Sequence, residues 1–449
     1  MIGLILGSQL RRNMVSGVVA TIVNTAVMLV SYPLCLSYLG YEKYGVWLIL
    51  TTVLTFVQMG GNLGIESAVT KLVAEEYGRR NIRGIESYLL MAMVILSTSG
   101  TVGFFIILFF KFQIVSLFNL TGDNAVLALH LLPYIGLLCI YMFNISALNT
   151  TLSGLGRMDL TNYVQLTGGI IFLCVTVLLL RAGLGVESLL IASAVLYLVI
   201  HILSIVLIRR ILGMRILRVN NWNWQRLKKL LRFGTGMVGS SFLNMLISPF
   251  NKFILSNRVG VASIPIYELA YRGSMQARSL IEVGFRALMP EVSKLGAEMG
   301  EGASNRILNI YRRSMRLVLL GGVPLLITTM FVINYTPLFK IWLGSKFVDE
   351  MPKAFCIMLL GAVLGLIGVP AYHTLIGLSR VRHIVISHII QSGMNVALVT
   401  GIVLSGLSLT ITHVVWMTAI SMGGSTVYLI WQKYRVMTSI QPRNFRSGL

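Results

Sequence analysis

Residues 267–290 read YELAYRGSMQARSLIEVGFRALMP. The stretch is long enough to be most of a membrane span, yet it carries Glu268, Arg272, Arg278, Glu282 and Arg286. On a helix at about 100° per residue, Glu268, Arg272, Gln276, Ser279, Glu282 and Arg286 share about a third of the circumference. Leu269, Leu280, Phe285 and Leu288 lie off that stripe. In lipid each central arginine costs roughly 2.5–3.5 kcal/mol on insertion scales. The stripe is therefore expected to face water, a partner charge or an anionic cargo.

The surrounding chain explains why this matters. Of 449 residues, 56% are hydrophobic and only 12% charged, and the mean hydropathy is +0.81. A soluble chain would carry about a quarter charged residues. The composition points to an all-α integral membrane protein, because spanning backbone must satisfy its own hydrogen bonds. The apolar runs are continuous rather than alternating, which excludes a β-barrel. The net charge is +22. Nucleic acid is the usual partner for such a charge, but cytoplasmic loops facing anionic lipid account for most of it. They do not account for arginine inside a span. Cys35, Cys139, Cys174 and Cys356 sit in apolar runs without metal spacing and read as small buried hydrophobes. His383 and His388 lack neighbouring acids, so no metal and no cofactor is expected. Arg11-Arg12 precedes a long span without a small-residue cleavage pattern, so that span is expected to act as its own insertion signal.

Twelve apolar segments are expected, near 14–39, 44–74, 84–110, 125–154, 158–180, 186–208, 234–258, 262–296, 306–334, 353–378, 382–404 and 408–433. Pro33, Pro133, Pro249, Pro324 and Pro370 are the kink candidates. Alternating the loops puts Arg11, Arg79, Arg80, Arg83 and Arg157 on one side, with the basic cluster over 209–232. Arg306, Arg312, Arg313, Arg380 and Arg382 and the basic tail fall on that side too. The other side holds little beyond Lys43, Lys111, Arg181, Lys340, Lys346 and Lys353. The positive-inside rule then puts both termini in the cytoplasm.

The chain is also doubled. Asn24 corresponds to Asn244, Gly40 to Gly260 and Gly64 to Gly284, all at a spacing of 220. Leu152-Ser153-Gly154-Leu155-Gly156-Arg157 matches Leu375-Ile376-Gly377-Leu378-Ser379-Arg380 at 223. A nearly constant offset argues for two pseudo-symmetric six-helix lobes, 1–217 and 218–449, each with an even number of crossings. Between them, 221–232 reads as a cytoplasmic linking helix whose Trp and Leu dip into the interface while its bases meet headgroups.

No phosphate-binding glycine loop and no Ser/His/Asp set is present, and external loops are short, so an enzyme is not expected. The intramembrane polar residues fall on the first two helices of each lobe. Asn24 and Asn244 match, and the offset puts Gln58 opposite Arg278, Asn62 opposite Glu282 and Glu66 opposite Arg286. One polar seam thus recurs in both copies, with the positive charge gathered in the second. A bland account exists: Glu268/Arg272 and Glu282/Arg286 are i,i+4 pairs that neutralise each other without any cargo. Lys252 and Arg278 have no evident local partner in that scheme, and Arg258 is expected to snorkel outward. A wet cleft lined by Arg and Lys suits an anionic cargo, because Arg matches phosphate oxygens in bidentate fashion.

Leu39-Gly40 with Tyr44-Gly45-Val46-Trp47, then Asn62-Leu63-Gly64-Ile65, resembles the start of a Wzx-type polysaccharide flippase. Leu152-x-Gly154-Leu155-x-Arg157 and Tyr267-x-Leu269-Ala270-Tyr271-Arg272 carry the same likeness, to the MOP superfamily that also holds the MATE exporters. The resemblance implies a V-shaped, two-lobed transporter in the bacterial inner membrane. Such a protein flips an undecaprenyl-diphosphate-linked oligosaccharide (an O-antigen, capsule or exopolysaccharide unit) to the outer leaflet by alternating access. It implies a basic cavity for diphosphate and sugars, which maps here onto Arg272, Arg278, Arg286 and Lys252, with Asn24, Asn244, Gln58 and Asn62 alongside. Asn251 stands where many relatives carry an acid, and Pro265 where they carry Gly. Glu66, Glu268 and Glu282 are left as groups for H+ or Na+ coupling or for charge pairing. Glycan polymerase and assembly proteins are the expected partners beyond lipid. The rival expectations are a MATE-like cation-coupled drug exporter, which needs acids rather than bases, and a polysaccharide polymerase, which needs a large external loop.

Overall fold

The computed structural model describes residues 2–62, 64–213, 222–282, 285, 292, 293, 295 and 301–440, and every described element is helical. In chain order these are α1 (Ile2–Gly61), α2 (Ile65–Gly78), α3 (Ile82–Phe109), α4 (Lys111–Leu117), α5 (Gly122–Gly154), α6 (Met158–Arg181) and α7 (Glu187–Leu212). They continue with α8 (Trp224–Met245), α9 (Ile247–Arg258), α10 (Ser263–Glu282), α11 (Glu301–Leu317) and α12 (Val323–Tyr335). The last are α13 (Leu338–Leu343), α14 (Glu350–Gly377), α15 (Val381–Leu404) and α16 (Ile411–Ile440). Among the described residues, nine helical stretches are long and apolar enough to cross a membrane. The protein is a multi-pass membrane protein.

Three expected spans are shaped differently from their apolar runs. The first helix breaks at Gly40, whose φ of 71° and ψ of 179° lie outside helical space, so α1 is two helices end to end. The run 44–74 is cut at Asn62–Gly64, where Gly64 adopts φ 69° ahead of α2. A Cβ there would lie 2.1 Å from the carbonyl oxygen of Gly234, so close backbone approach as well as left-handed geometry requires glycine. The linking segment does not end at 232: α8 runs unbroken from Trp224 to Met245 and joins the expected surface helix to the seventh apolar segment. Of the proline candidates, Pro33, Pro133 and Pro370 lie inside continuous helices. Pro249 falls in the first turn of α9, where a missing N–H costs little, whereas Pro324 lies inside the continuous helical stretch Gly302–Tyr335. A π-helical segment, Val318–Gly322, precedes α12.

By packing, the chain forms two compact units, one of residues 1–242 with 252–265, the other of 243–251 with 266–449. This is a grouping by contact and differs in kind from a repeat boundary at 217/218. Two large buried apolar clusters hold the first unit together, with a smaller one at Ile145, Val164 and Ile200. One large cluster gathers Val46, Ile49, Leu50, Ile107, Phe118 and Ile135; the other gathers Ile65, Leu72, Ile85, Leu89 and Leu148. Leu227 and Leu230 of α8 are buried in the second core, and Lys229 Nζ reaches Glu75 Oε2 at 3.2 Å. The segment 252–265 is tied to the same unit: Asn257 Nδ2 donates to the carbonyl of Leu117 at 2.7 Å, and Ser256 Oγ to that of Phe118. The second unit is built around α14, the most enclosed of the apolar helices among the described residues. Cys35, Cys139 and Cys356 are buried, but Cys174 is exposed on α6, where an apolar helix turns a small hydrophobe outward at no cost in lipid.

The matched hexapeptides end their helices alike. In the first, Leu155 N–H donates to Thr151 O at 3.0 Å, Gly156 N–H to Ser153 O at 3.0 Å and Arg157 N–H to Leu152 O at 3.1 Å. In the second, Leu378 donates to Thr374 at 3.0 Å, Ser379 to Ile376 at 2.8 Å and Arg380 to Leu375 at 2.9 Å. Gly156 and Ser379 both take positive φ, 75° and 58°. This is a Schellman-type cap, in which a left-handed residue lets the next N–H reach back across the turn.

Candidate functional site

Within the second unit the candidate site centres on α10. Helical spacing brings Tyr271, Met275, Arg278 and Glu282 to one face of α10. Near the N-terminal end of α10 Tyr267 is fully buried and its hydroxyl accepts from Asn251 Nδ2 at 2.9 Å. Asn251 Nδ2 also donates to Thr418 Oγ1 at 2.9 Å, as does Asn395 Nδ2 at 3.0 Å, while Thr418 donates to the carbonyl of Val414 at 2.8 Å. Thr418 has therefore spent its one proton, and the amides must be the donors. The Oδ1 atoms of Asn251 and Asn395 are buried and accept nothing among the described residues.

Glu268 is buried and forms an ion pair with Arg272, whose side chain is 62% exposed. Arg278, expected to lack a local partner, has one: its Nε lies 3.2 Å from Glu282 Oε2. Nε–H is nevertheless buried and directed at no acceptor, so the contact is a charge pairing and not an aligned hydrogen bond. The signal was in the sequence, since Glu282 stands four residues from Arg278 as well as from Arg286. Gly365 on α14 makes room for this arginine. A Cβ at that position would fall 2.4 Å from Arg278 Nη1.

Four helices enclose a cavity of about 350 Å³ at this point. Facing the α10 residues are Gly365, Gly368, Val369 and Tyr372 of α14. Helix α15 adds Ser387, His388 and Gln391, and α16 adds Met422, Ser425, Thr426 and Leu429. The Tyr372 and His388 rings lie 6.4 Å apart at 28°. The wall residues on α15 and α16 were missed. The letters showed a polar stripe over Ser387, His388, Gln391 and Asn395, and another over Ser421, Ser425 and Thr426. Single hydroxyls are common in apolar helices because they bond to the preceding turn, and only their convergence makes a site.

The other expected residues are distributed as follows. Lys252, also expected to be unpaired, is 4% exposed and donates to Thr52 Oγ1 at 3.2 Å within the first unit. Asn62 Oδ1 accepts from the backbone of Glu66 at 3.4 Å, and the Glu66 carboxylate accepts from Ser146 Oγ, which binds the start of α2 to α5. Gln58 is half-buried near the end of α1, and Asn24 is exposed on the same helix. Arg258 is exposed at the end of α9. Arg286, Gly284 and the side chain of Asn244 lie outside the described residues, as do Arg443 and Arg446 of the tail. Among the described residues, no cluster of three or more His, Cys, Asp or Glu is placed to hold a metal.

This all-helical membrane architecture has the fold seen in solved structures of the MOP superfamily. An inward-facing multidrug resistance MATE family transporter of that superfamily superimposes with TM-score 0.72 at 15% identity, covering 95% of this chain and 100% of its own. The lipid II flippase MurJ, in an inward closed conformation, gives 0.69 at 16%, covering 94% and 89%. A Pyrococcus furiosus MOP superfamily transporter, described as having a binding pocket of reversed polarity, gives 0.64 at 14%, covering 96% of each chain. A search of curated sequences finds no match. Residues 10–296 match the sequence model of the polysaccharide biosynthesis proteins, and the chain belongs to that family.

Proposed function

We propose that this protein flips a lipid-linked oligosaccharide, carried on undecaprenyl diphosphate, from the cytoplasmic to the outer leaflet of a bacterial inner membrane by alternating access. The observation that carries the reading is the α10 face. In a chain with only 12% charged residues, one helix presents an exposed Arg272 and a cavity-lining Arg278. Family membership supports a cargo of polysaccharide biosynthesis. Likeness to both a flippase and drug exporters supports the transporter frame without choosing a substrate.

The proposal includes twelve crossings in two six-helix lobes, 1–217 and 218–449, with both termini cytoplasmic. The matching helix caps around Gly156 and Ser379 support the doubling. At 51 residues and about 1.5 Å each, the stretch Arg11–Gly61 is long enough for two crossings, and Gly40 divides it. Arg272 meets the diphosphate, because it combines exposure with a planar donor set suited to phosphate oxygens. Glu66 and Glu268 are the carboxylates available to couple H+ or Na+, and glycan polymerase and assembly proteins are the partners that would receive the cargo. Reconstituted protein should move a fluorescent undecaprenyl-diphosphate oligosaccharide between leaflets. Arg272→Ala should slow this at least tenfold at unchanged protein level. Wild-type rates in that variant would remove Arg272 from the mechanism, and a wild-type protein that exports cationic drugs but no lipid-linked sugar would overturn the reading.

A further inference from the structure

The donors and acceptors of the cavity in the second unit can be counted group by group. Ser387 Oγ donates to the carbonyl of Ile384 at 2.7 Å, Ser425 Oγ to that of Met422 at 2.9 Å and Thr426 Oγ1 to that of Leu364 at 3.0 Å. Each hydroxyl has one proton, so all three offer the cavity lone pairs only. Glu282 offers further acceptors. The donors are the Arg278 guanidinium, with its buried Nε–H unanswered, the amide of Gln391, the hydroxyls of Tyr271 and Tyr372, and the His388 ring, and the last three can also accept. The charges of Arg278 and Glu282 offset one another. The Tyr372 and His388 rings, 28° from parallel, add flat aromatic surface, and Met275 and Leu429 add apolar surface.

This inventory discriminates among ligands. A phosphate group only accepts: it could use the cavity's donors, but it would leave three hydroxyl acceptors unanswered and face the Glu282 carboxylate. An ammonium drug would meet Arg278. A ring bearing several hydroxyls both donates and accepts at each one, and its C–H face suits an aromatic wall. The volume of about 350 Å³ is at the lower end of the roughly 300–1,000 Å³ typical of small-ligand sites.

We propose that this cavity is a saccharide subsite, taking one neutral pyranose of the cargo, and that Arg278 belongs to sugar recognition while the diphosphate binds elsewhere. The assignment deepens the flippase reading and rests on it. Gln391 and Glu282 would bond the ring hydroxyls, Arg278 would donate through its unanswered N–H, and the Tyr372–His388 wall would cover one face.

The test uses the full chain in nanodiscs and two readouts. Saturation-transfer NMR with glucose, galactose, mannose, rhamnose, N-acetylglucosamine and N-acetylgalactosamine should show saturable binding of at least one. Gln391→Ala and Tyr372→Ala should weaken it tenfold or more, and Tyr372→Phe, which keeps the ring, should not. Inorganic diphosphate should bind all variants alike. Thermal melting controls for folding, and Gln391→Glu, an isosteric change of donor to acceptor, serves if Gln391→Ala melts early. Binding by none of the six sugars, sugar binding indifferent to Gln391→Ala and Gln391→Glu, or diphosphate binding lost in these variants would each overturn the subsite. The second readout is leaflet exchange. A wild type that flips no lipid-linked oligosaccharide sinks the flippase reading itself, whereas a flipping wild type with equally fast Gln391→Ala sinks only the subsite.

Discussion

At the scale of single residues, Ser379 is the most informative departure from its own repeat. It holds φ 58° at a helix end where the first copy has Gly156 at 75°, and the cap hydrogen bonds are the same. A residue with a Cβ in left-handed space costs about 1–2 kcal/mol that glycine does not. No atom lies within 4 Å of a Cβ built on Gly156, so substitution there would be strained by conformation and not by crowding. Ser379→Gly should therefore stabilise the protein by about 0.5–1 kcal/mol, after the entropy glycine gives back to the unfolded chain. Gly156→Ala should destabilise it by about 1–2 kcal/mol. Thermal unfolding in detergent reads both; a lower melting temperature for Ser379→Gly would mean that the hydroxyl contributes more than the backbone loses. The letters revealed the matched motif but not the cap, because a lone Ser in place of Gly hides the left-handed turn that the hydrogen bonds reveal.

At the scale of elements, α8 shows which forces hold a helix at a membrane boundary. Leu230 is fully buried against the core of the first unit, and Lys229 reaches Glu75 at 3.2 Å with both side chains partly exposed. Exposed ion pairs contribute about 0–1 kcal/mol, whereas truncating a buried leucine costs about 2–5 kcal/mol. Leu230→Ala should lower the melting temperature well beyond Lys229→Ala, and comparable losses would show that charge docks this helix. Its helical character was legible from WNWQRLKKLLRF, but its length was not. Nothing in an apolar–basic alternation says whether the chain bends at the membrane or runs on to Met245. The break at Gly64 was legible in principle, since Gly60-Gly61-Asn62 precedes it, yet the hydrophobic run across 44–74 overrode that cue. The cavity was the least legible feature. Its α10 wall stood out because arginine is rare in a span, while its α15 and α16 walls consist of Ser, Thr, Gln and His that only tertiary packing assembles.

At the scale of the whole molecule, the proposed cycle has an electrical signature that depends on no detail of the site. Arg272 and every other fixed charge return to their starting positions after each turnover, so only transferred charge couples to the membrane potential over a full cycle. A diphosphate head of about −2 leaving an inside-negative compartment moves down its electrical gradient and gains roughly 4–5 kcal/mol per 100 mV. At about 1.4 kcal/mol per tenfold, that is an outer-to-inner leaflet ratio rising roughly three decades per 100 mV. One H+ or Na+ admitted per cargo would add the work of a third charge, and the ratio would rise by roughly five decades. Proteoliposomes clamped with potassium and valinomycin at small potentials of both signs measure this slope directly. A slope of two charges indicates transport driven by potential alone. Three charges would require a coupled cation, and Glu66→Gln and Glu268→Gln would then be expected to return the slope to two if either carboxylate carries it. A ratio indifferent to potential would exclude a dianionic cargo moving alone, and would require its two charges to be compensated in each cycle.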